Sequence, residues 1–257
     1  VEVVAQATAA VAEDASCEVP PSPPVVQRVR YVEVCGMQLH HGATVMRGAG
    51  TSWLLLTNAS GSMGTGWYST RLRLAAGFDS TFTVQLLHPY VSHDAVVARS
   101  TGGIALAIHS DPRGRFAAGC AGGGLGFRAD PEATRNCSAR VSHAAVVALL
   151  PTRVELVRTE LDFYTPRLSA LYPMGQRLDD GRPHRVRVLY LPAGRGSLSV
   201  YLDDGASPTL TSPLDLQAIA LDEHGRGIVG FTASSGGPGD EVLVELHDWH
   251  LATASHK

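Results

Sequence analysis

Residues 183–202, PHRVRVLYLPAGRGSLSVYL, carry the strongest fold signal in the chain. Apolar side chains alternate with arginines over 185–188 and with serines over 197–200. Because successive side chains of a strand point to opposite faces, this alternation predicts two strands with one buried face each. The glycine-containing loop at 192–196 separates the two strands and predicts a β-hairpin.

The same two-residue period recurs outward from this hairpin, for example in TFTVQL at 81–86. Turn sequences rich in Gly, Asp and Asn punctuate the chain at 48–50, 58–66, 111–114, 179–181, 203–205 and 234–240. Many short strands with regular turns are typical of an all-β sandwich or barrel. One stretch favours a helix, with Ser212 as its cap, Pro213 at the first helical position and 214–220 as its body.

Composition narrows the classes of function. The chain has 257 residues, of which 44% are hydrophobic and 18% are charged, so a sizeable core is expected in a single large sandwich. The formal net charge is -3 and no dense basic run occurs, which argues against nucleic acid as a partner. Lys257 is the only lysine, so a Schiff-base lysine and a phosphate-loop lysine are excluded within the domain.

The N-terminal end differs in composition from the rest. Residues 1–24 are rich in alanine and proline and predict a flexible tail or linker, so the folded domain is expected at 25–257. The chain begins at Val1, which suggests a processed form or a piece of something longer. No run reaches the roughly 18 to 20 apolar residues that span a bilayer, so no membrane span is expected.

Cysteines and glycosylation triplets indicate an oxidising compartment. The cysteines fall into two pairs that are close in sequence, Cys17 with Cys35 and Cys120 with Cys137. None of them forms a C-x-x-C motif, so disulfides are expected, although four cysteines allow three pairings. Asn58 and Asn136 each begin an N-x-S triplet and are candidate N-glycosylation sites. Together these features predict a secreted or cell-surface protein.

Four segments, in order, resemble the legume-type (L-type) lectins of the concanavalin A-like superfamily. They are GWY at 66–68 with the strands up to 84, GIALAI with GGGLGF at 103–127, DGRPHRV running into LSVYL at 180–202, and IVGFTASSGG running to HDWHL at 228–251. The resemblance implies a jelly-roll β-sandwich of two antiparallel sheets, a flat back sheet and a curved front sheet, with sugar held by loops at the concave face.

The chain departs from the lectin pattern where sugar and metal would bind. Family members grip sugar with an Asp just before the glycine of the second segment, and here Gly102 stands at that position, followed by Gly103. The family's metal strand reads VEFDT, followed by an Asn and a second Asp, and its counterpart at 145–151, AVVALLP, has no oxygen ligand. No calcium or other cofactor is therefore expected.

A second alignment places ELDFY at 160–164 on the metal motif, but it leaves no Asn downstream. The same residues are similar to the Glu-x-Asp-x-x-Glu strand of laminarinase-type glycoside hydrolases. Glu160 and Asp162 fit that strand, but Thr165 stands where the acid should be, and a retaining hydrolase needs both carboxylates. Charged side chains on a strand edge are the simpler interpretation, and no enzyme is predicted.

Two further patterns are assigned to structure. The histidine pairs His247 with His250 and His88 with His93 do not predict a metal site, because the first pair would face opposite sides of a strand. The glycine run at 119–126 lacks the lysine of a phosphate loop and predicts a close-packed turn. Six aromatic residues are expected in the core: Trp67, Phe78, Phe82, Phe127, Phe231 and Trp249.

The sequence therefore predicts a noncatalytic, metal-independent carbohydrate-binding module. Its expected ligand-binding residues are Gly102, Gly103, Tyr90, Tyr172, Ser234, Ser235, Gly236 and Gly237, and Tyr164 is a further stacking candidate. The expected partner is a glycan or glycoprotein. The alternative is a lectin fold that has lost sugar binding and acts as a structural or protein-interaction subunit of an extracellular assembly.

Overall fold

The structure is a computed structural model that describes residues 28–30, 36–48, 51–88, 102–130, 137–159, 168–172, 176–236 and 242–254. The predicted tail at 1–24, and with it the boundary of the domain at residue 25, lies outside the described residues.

Two antiparallel sheets make up most of the structure. Sheet A contains β1 (Arg28–Arg30), β3 (Thr44–Gly48), β4 (Thr51–Thr57), β7 (Phe78–Leu87), β12 (Pro183–Leu191), β13 (Ser197–Leu202), β14 (Leu210–Pro213) and β16 (Leu243–Thr253). Sheet B contains β2 (Met37–His41), β5 (Met63–Tyr68), β6 (Leu72–Arg73), β8 (Gly103–His109), β9 (Ala144–Leu150), β10 (Arg153–Arg158), β11 (Leu168–Leu171) and β15 (Arg226–Ser234). The short helices are η1 (Gly114–Phe116), η2 (Gly122–Gly124) and α1 (Leu216–Ala220).

The strand order shows the crossing connections of a jelly roll. Sheet A runs β14-β13-β12-β7-β16-β4-β3, with β1 paired to β16. Sheet B runs β11-β10-β9-β8-β15-β5-β2, with β6 paired to β15. Strands that are neighbours in a sheet are therefore often distant in sequence. The predicted all-β sandwich of two antiparallel sheets is confirmed.

The predicted hairpin is present as β12 and β13. Val188 lies opposite Val200, and buried and more exposed positions alternate along both strands. β7 shows the same strict alternation over ten residues. One face of each strand is buried because it packs toward sheet B, as the sequence period predicted.

The predicted helix begins later than expected. Pro213 belongs to β14, where it pairs with Ser197, and Asp215 caps α1 by accepting a hydrogen bond from the backbone N–H of Ala218 at 3.0 Å. The prediction of Ser212 as the cap was wrong. β14 is the edge strand of sheet A, and an edge strand tolerates a proline that cannot donate to the ladder.

The space between the sheets is filled by a large apolar cluster. Phe231 contacts Phe82 and Trp249 edge to face, with ring centroids 5.0 and 5.2 Å apart. All six aromatic residues predicted in the core are at most 4% exposed, so that prediction is confirmed. Aromatic pairs of this geometry add about 0.5–1.5 kcal/mol each beyond the area they bury.

A second apolar cluster lies on the other face of sheet B. Ala105 and Ala107 alternate with the inter-sheet side chains of β8, so they point away from sheet A. Residues 110–143, of which 110–130 and 137–143 are described, cross this face and are called the covering segment below. Leu125, Phe127 and Val141 of the covering segment are fully buried in the second cluster. β8 and β9 are consequently buried on both faces.

Candidate functional site

The predicted sugar-binding loops meet at one end of sheet B. Ser234, at the end of β15, pairs with Gly103 of β8 on one side and with Met63 of β5 on the other. The turn at 58–62, the helix η2 and the residues after β15 are adjacent there. We refer to 58–62, 122–124 and 234–236 as the loop cluster.

Hydrogen bonds join the three parts of the loop cluster. The backbone N–H of Gly122 donates to Oγ of Ser234 at 2.7 Å. The backbone N–H of Ser62 donates to Oγ of Ser235 at 3.0 Å, and that of Gly61 donates to the carbonyl of Gly236 at 3.1 Å. The loop cluster is therefore preorganised by contacts within the chain.

The predicted alignment places Gly102 at the position of the lectin Asp that grips sugar, and a side chain at Gly102 would be crowded by backbone atoms. A Cβ atom at Gly102 would lie 3.0 Å from the carbonyl oxygen of Ser234 and 3.0 Å from the carbonyl carbon of Ser235. A Cβ at Gly103 would approach the carbonyl oxygen of Leu149 to 2.5 Å. Both glycines are buried, so close backbone packing accounts for them.

Four other predicted contact residues are buried. Ser234 and Ser235 are 0% and 1% exposed, and Gly236 is buried. Tyr172 is 7% exposed, and its hydroxyl has no hydrogen-bond partner among the described residues. Desolvation by burial raises the pKa of Tyr172 well above its ordinary value. Tyr90, Tyr164 and Gly237 lie outside the described residues.

The strand that the predicted alignment places on the lectin metal strand, β9, is entirely apolar. Every residue of β9 is buried, and Ala144, Val146, Ala148 and Leu150 belong to the second apolar cluster. A turn at 151–152 joins β9 directly to β10 and contains neither an Asn nor an Asp. These residues do not fit a calcium ion, which needs oxygen ligands.

No group of three or more His, Cys, Asp or Glu side chains suitable for a metal occurs in the described part of the chain. The acids of the second alignment, Glu160 and Asp162, lie outside it, as does His93. His88 instead pairs with Asp179, with 2.9 Å between Nε2 and a carboxylate oxygen.

A buried carboxylate fixes the start of the covering segment. Asp111 is 1% exposed and accepts hydrogen bonds on both oxygens. One oxygen accepts from the backbone N–H of Arg113 at 2.8 Å and from its Nε at 3.0 Å. The other accepts from Nη2 of Arg113 at 2.8 Å, and from the backbone N–H and the hydroxyl of Ser142 at 2.7 and 2.9 Å. Asp111 thus ties the two ends of the covering segment together.

The ionisation states of this network follow from its geometry. Burial alone raises the pKa of the Asp111 carboxyl, but the hydrogen bonds from Arg113 and Ser142 outweigh it and hold that pKa well below its usual range. His109 beside it is 0% exposed, and desolvation lowers its pKa to about 4. Its Nδ1 accepts from the backbone N–H of Asp111 at 3.2 Å, so the neutral ring carries its proton on Nε2.

A disulfide closes the middle of the covering segment. Cys120 and Cys137 are bonded, with 5.9 Å between their Cα atoms, as their proximity in sequence predicted. Cys17 and Cys35 lie outside the described residues. Asn58 is exposed in the turn at 58–62, which leaves it open to modification, whereas Asn136 is outside the described residues.

Sequence analysis missed the Asp111 network. The run at 111–114 predicted only a turn, which it is, but Ser142 lies 31 residues away, and no local pattern signals that contact. The 66% exposure of Phe116 was not predicted either, although a phenylalanine in a polar, glycine-containing loop was the available signal.

Comparison with known proteins bears on the fold. No family profile and no curated protein matches the chain. Lectins and lectin-like proteins are among the solved structures it resembles, and the chain has the legume-lectin-like form of the concanavalin A-like fold. The fold predicted from the resemblance to L-type lectins is confirmed.

Three of these structures illustrate the likeness. Arcelin-5, a lectin-like defense protein from Phaseolus vulgaris, matches with a TM-score of 0.64 at 17% identity over 90% of this chain and 100% of its own. Lectin II from Ulex europaeus matches with a TM-score of 0.63 at 16% identity over 91% and 100%. The carbohydrate recognition domain of Emp46p in its metal-free form matches with a TM-score of 0.57 at 14% identity over 86% and 89%.

Proposed function

We propose that the chain is a noncatalytic carbohydrate-binding module of lectin type that works without a metal, at the cell surface or outside the cell. The observation that supports this most is the lectin fold with a preorganised loop cluster at one end of sheet B. Fold alone does not define function, so the proposal depends on the chemistry of that cluster.

Binding would use exposed backbone and turn residues of the loop cluster. The buried side chains of Ser234 and Ser235 serve as supports that hold 58–62 and 122–124 in place. Backbone N–H and C=O groups on a rigid loop are suitable partners for sugar hydroxyls. The apolar β9 supports metal independence, because it offers no ligand for calcium to organise.

The location is supported by two features. The Cys120–Cys137 disulfide is typical of proteins from oxidising compartments. Asn58 is exposed at an N-x-S triplet, as a glycosylation site requires. None of the described helices is both long enough and apolar enough to cross a membrane.

The decisive experiment is a glycan array read with and without a chelator, preceded by calorimetric titration with calcium. We expect glycan signals that the chelator leaves unchanged. We expect no heat of binding when the protein is titrated with calcium. Ala59→Trp would place a bulky side chain in the exposed turn of the loop cluster and should abolish the signals. Ala206→Trp, in the exposed turn after β13, is the matched control and should leave them unchanged. Signals lost on chelation would contradict the metal-independent mechanism.

The second candidate is a structural or protein-interaction subunit of an extracellular assembly. The packing at Gly102 favours it, because a side chain at that position would be crowded by the backbone of Ser234 and Ser235, each at 3.0 Å. An array without signals, together with no calcium heat, would favour this function over the first.

A further inference from the structure

Asn58 lies at the edge of the loop cluster and is the first residue of an N-x-S triplet. It follows the last residue of β4. The backbone N–H groups of Asn58 and Ala59 donate to Oγ of Ser62 at 3.3 and 3.2 Å. The side-chain amide of Asn58 makes no hydrogen bond with any residue that the structure describes. Nδ2 of Asn58 is therefore free to react.

The rest of the triplet is equally accessible. Residues 58–61 are all exposed, and the hydroxyl of Ser60 makes no hydrogen bond within the described ranges. These residues belong to the turn between β4 and β5, outside the strands of both sheets. An N-x-S triplet accepts a glycan when it lies on a surface loop of this kind. The triplet at Asn58 meets that requirement.

Residues 58–61 are also the only exposed part of the loop cluster, every member of which the structure describes. Gly124 and residues 234–236 are buried, and Ser62, Gly122 and Gly123 are half-buried. A ligand that reaches the backbone groups of the loop cluster must therefore contact the turn that carries Asn58.

The Asn58 side chain lies beside the supports of that turn. One hydrogen bond leads from its backbone N–H to Ser62, and a second leads from the backbone N–H of Ser62 to Oγ of Ser235 at 3.0 Å. On the opposite side, a Cβ atom at Gly42 would lie 3.6 Å from Oδ1 of Asn58. The carboxamide thus lies at the margin of the loop cluster, next to the turn that joins β2 to β3. A bulky group on Nδ2 would cover the exposed turn.

We propose that Asn58 is N-glycosylated and that its glycan shields the loop cluster from external sugar. Nδ2 of Asn58 forms a bond to the anomeric carbon of an oligosaccharide that is carried on a lipid pyrophosphate. The bond from that carbon to the pyrophosphate oxygen breaks, the lipid pyrophosphate leaves, and Nδ2 gives up one proton. The attached glycan is bulky and hydrophilic, so it remains at the surface beside residues 58–61. This inference rests on the proposed function and adds a form of regulation to it.

The first measurement is mass mapping of the full chain after secretion from a eukaryotic host. We expect the peptide that contains Asn58 to carry a glycan that peptide N-glycosidase removes. Asn58→Gln removes the acceptor, and Ser60→Ala removes the triplet while keeping Asn58. Both variants should lack this glycan.

The second measurement is a glycan array with the wild type and the variants from the same host. Because losing one or two hydrogen bonds to the exposed turn lowers affinity by about tenfold or more, Asn58→Gln and Ser60→Ala should both bind at least about tenfold more tightly than the wild type. Asn136→Gln removes the other triplet and is the matched control. It should keep the Asn58 glycan and bind like the wild type. Near-UV circular dichroism should agree among all four proteins, which checks that each is folded.

The outcomes separate the shielding from the proposed function. An unmodified Asn58 in the secreted wild type overturns the shielding. Equal binding by the glycosylated wild type, Asn58→Gln and Ser60→Ala also overturns it while leaving the lectin. No signal from any of these proteins with any glycan overturns both.

Discussion

Replacing Asp111 with asparagine tests whether one buried carboxylate fixes the covering segment. Each carboxylate oxygen of Asp111 accepts one backbone N–H, from Arg113 on one oxygen and from Ser142 on the other. Asparagine keeps a single acceptor oxygen. Whichever way its amide is turned, its NH₂ group faces one of these backbone N–H donors, and that donor loses its partner.

The magnitude follows from the number of hydrogen bonds. A hydrogen bond to a charged acceptor contributes about 1.5–3 kcal/mol, and a buried donor left without a partner costs about 1–3 kcal/mol. The contacts with the Arg113 side chain count for less, because that side chain is 44% exposed. We therefore expect Asp111→Asn to lower the free energy of unfolding by about 3 kcal/mol at pH 7, as measured by urea denaturation.

Asp79→Asn is the matched control. Asp79 makes a bidentate ion pair with Arg187 on the outer face of sheet A, where the side chains are 36% and 48% exposed. An exposed pair contributes about 0–1 kcal/mol. If Asp111→Asn costs no more than Asp79→Asn, the inference that Asp111 anchors the covering segment is refuted.

Three further predictions concern His109, the disulfide and Gly102. Because the pKa of His109 falls from 6.5 to about 4 on folding, the unfolded chain binds the proton first, and stability should fall by about 3 kcal/mol between pH 6.5 and pH 4. His109→Asn should flatten that slope in urea titrations, and an unchanged slope would argue against the assignment. Replacing Cys120 and Cys137 with serine removes a disulfide whose cysteines have a sequence separation of 17. The free energy of unfolding should fall by about 3 kcal/mol in the same assay, and a decrease below about 1 kcal/mol would contradict this. Gly102→Asp should destabilise the chain by about 1–3 kcal/mol, because its Cβ would lie 3.0 Å from the backbone of Ser234. Calorimetry of this variant should detect no calcium binding, and a heat of calcium binding would show that the new carboxylate is accommodated.

The sandwich was predictable because its signals are local. The alternation in β7, β12 and β13 requires only the two-residue period of a strand with one buried face. The aromatic core followed from the same period. α1 was misplaced because the pairing of Pro213 with Ser197 extends β14, and this contact across the sheet is invisible in a local helix pattern.

The candidate site was only partly predictable, because its properties depend on contacts between distant segments. The sequence identified Gly102 as a departure from the lectin pattern, but the backbone of Ser234 and Ser235 fills the space beside it, and these residues lie more than a hundred positions away. Ser234 and Ser235 were expected to touch a ligand because serines in a glycine-rich loop are commonly exposed. Their burial follows from the turn at 58–62 packing on them.

The apolar β9 supports the proposal that the loop cluster is held in place without a metal. In the lectin pattern the acids of this strand hold calcium, and a bound ion contributes its binding free energy to folding. Here Val146, Ala148 and Leu150 bury apolar surface against Phe127 of the covering segment, and that burial is present before any ligand arrives. The disulfide links two parts of the covering segment covalently, and the Asp111 carboxylate links its two ends through hydrogen bonds. The order of the covering segment should therefore depend on pH and on a reductant, through His109 and Cys120, and we expect it not to depend on the concentration of calcium.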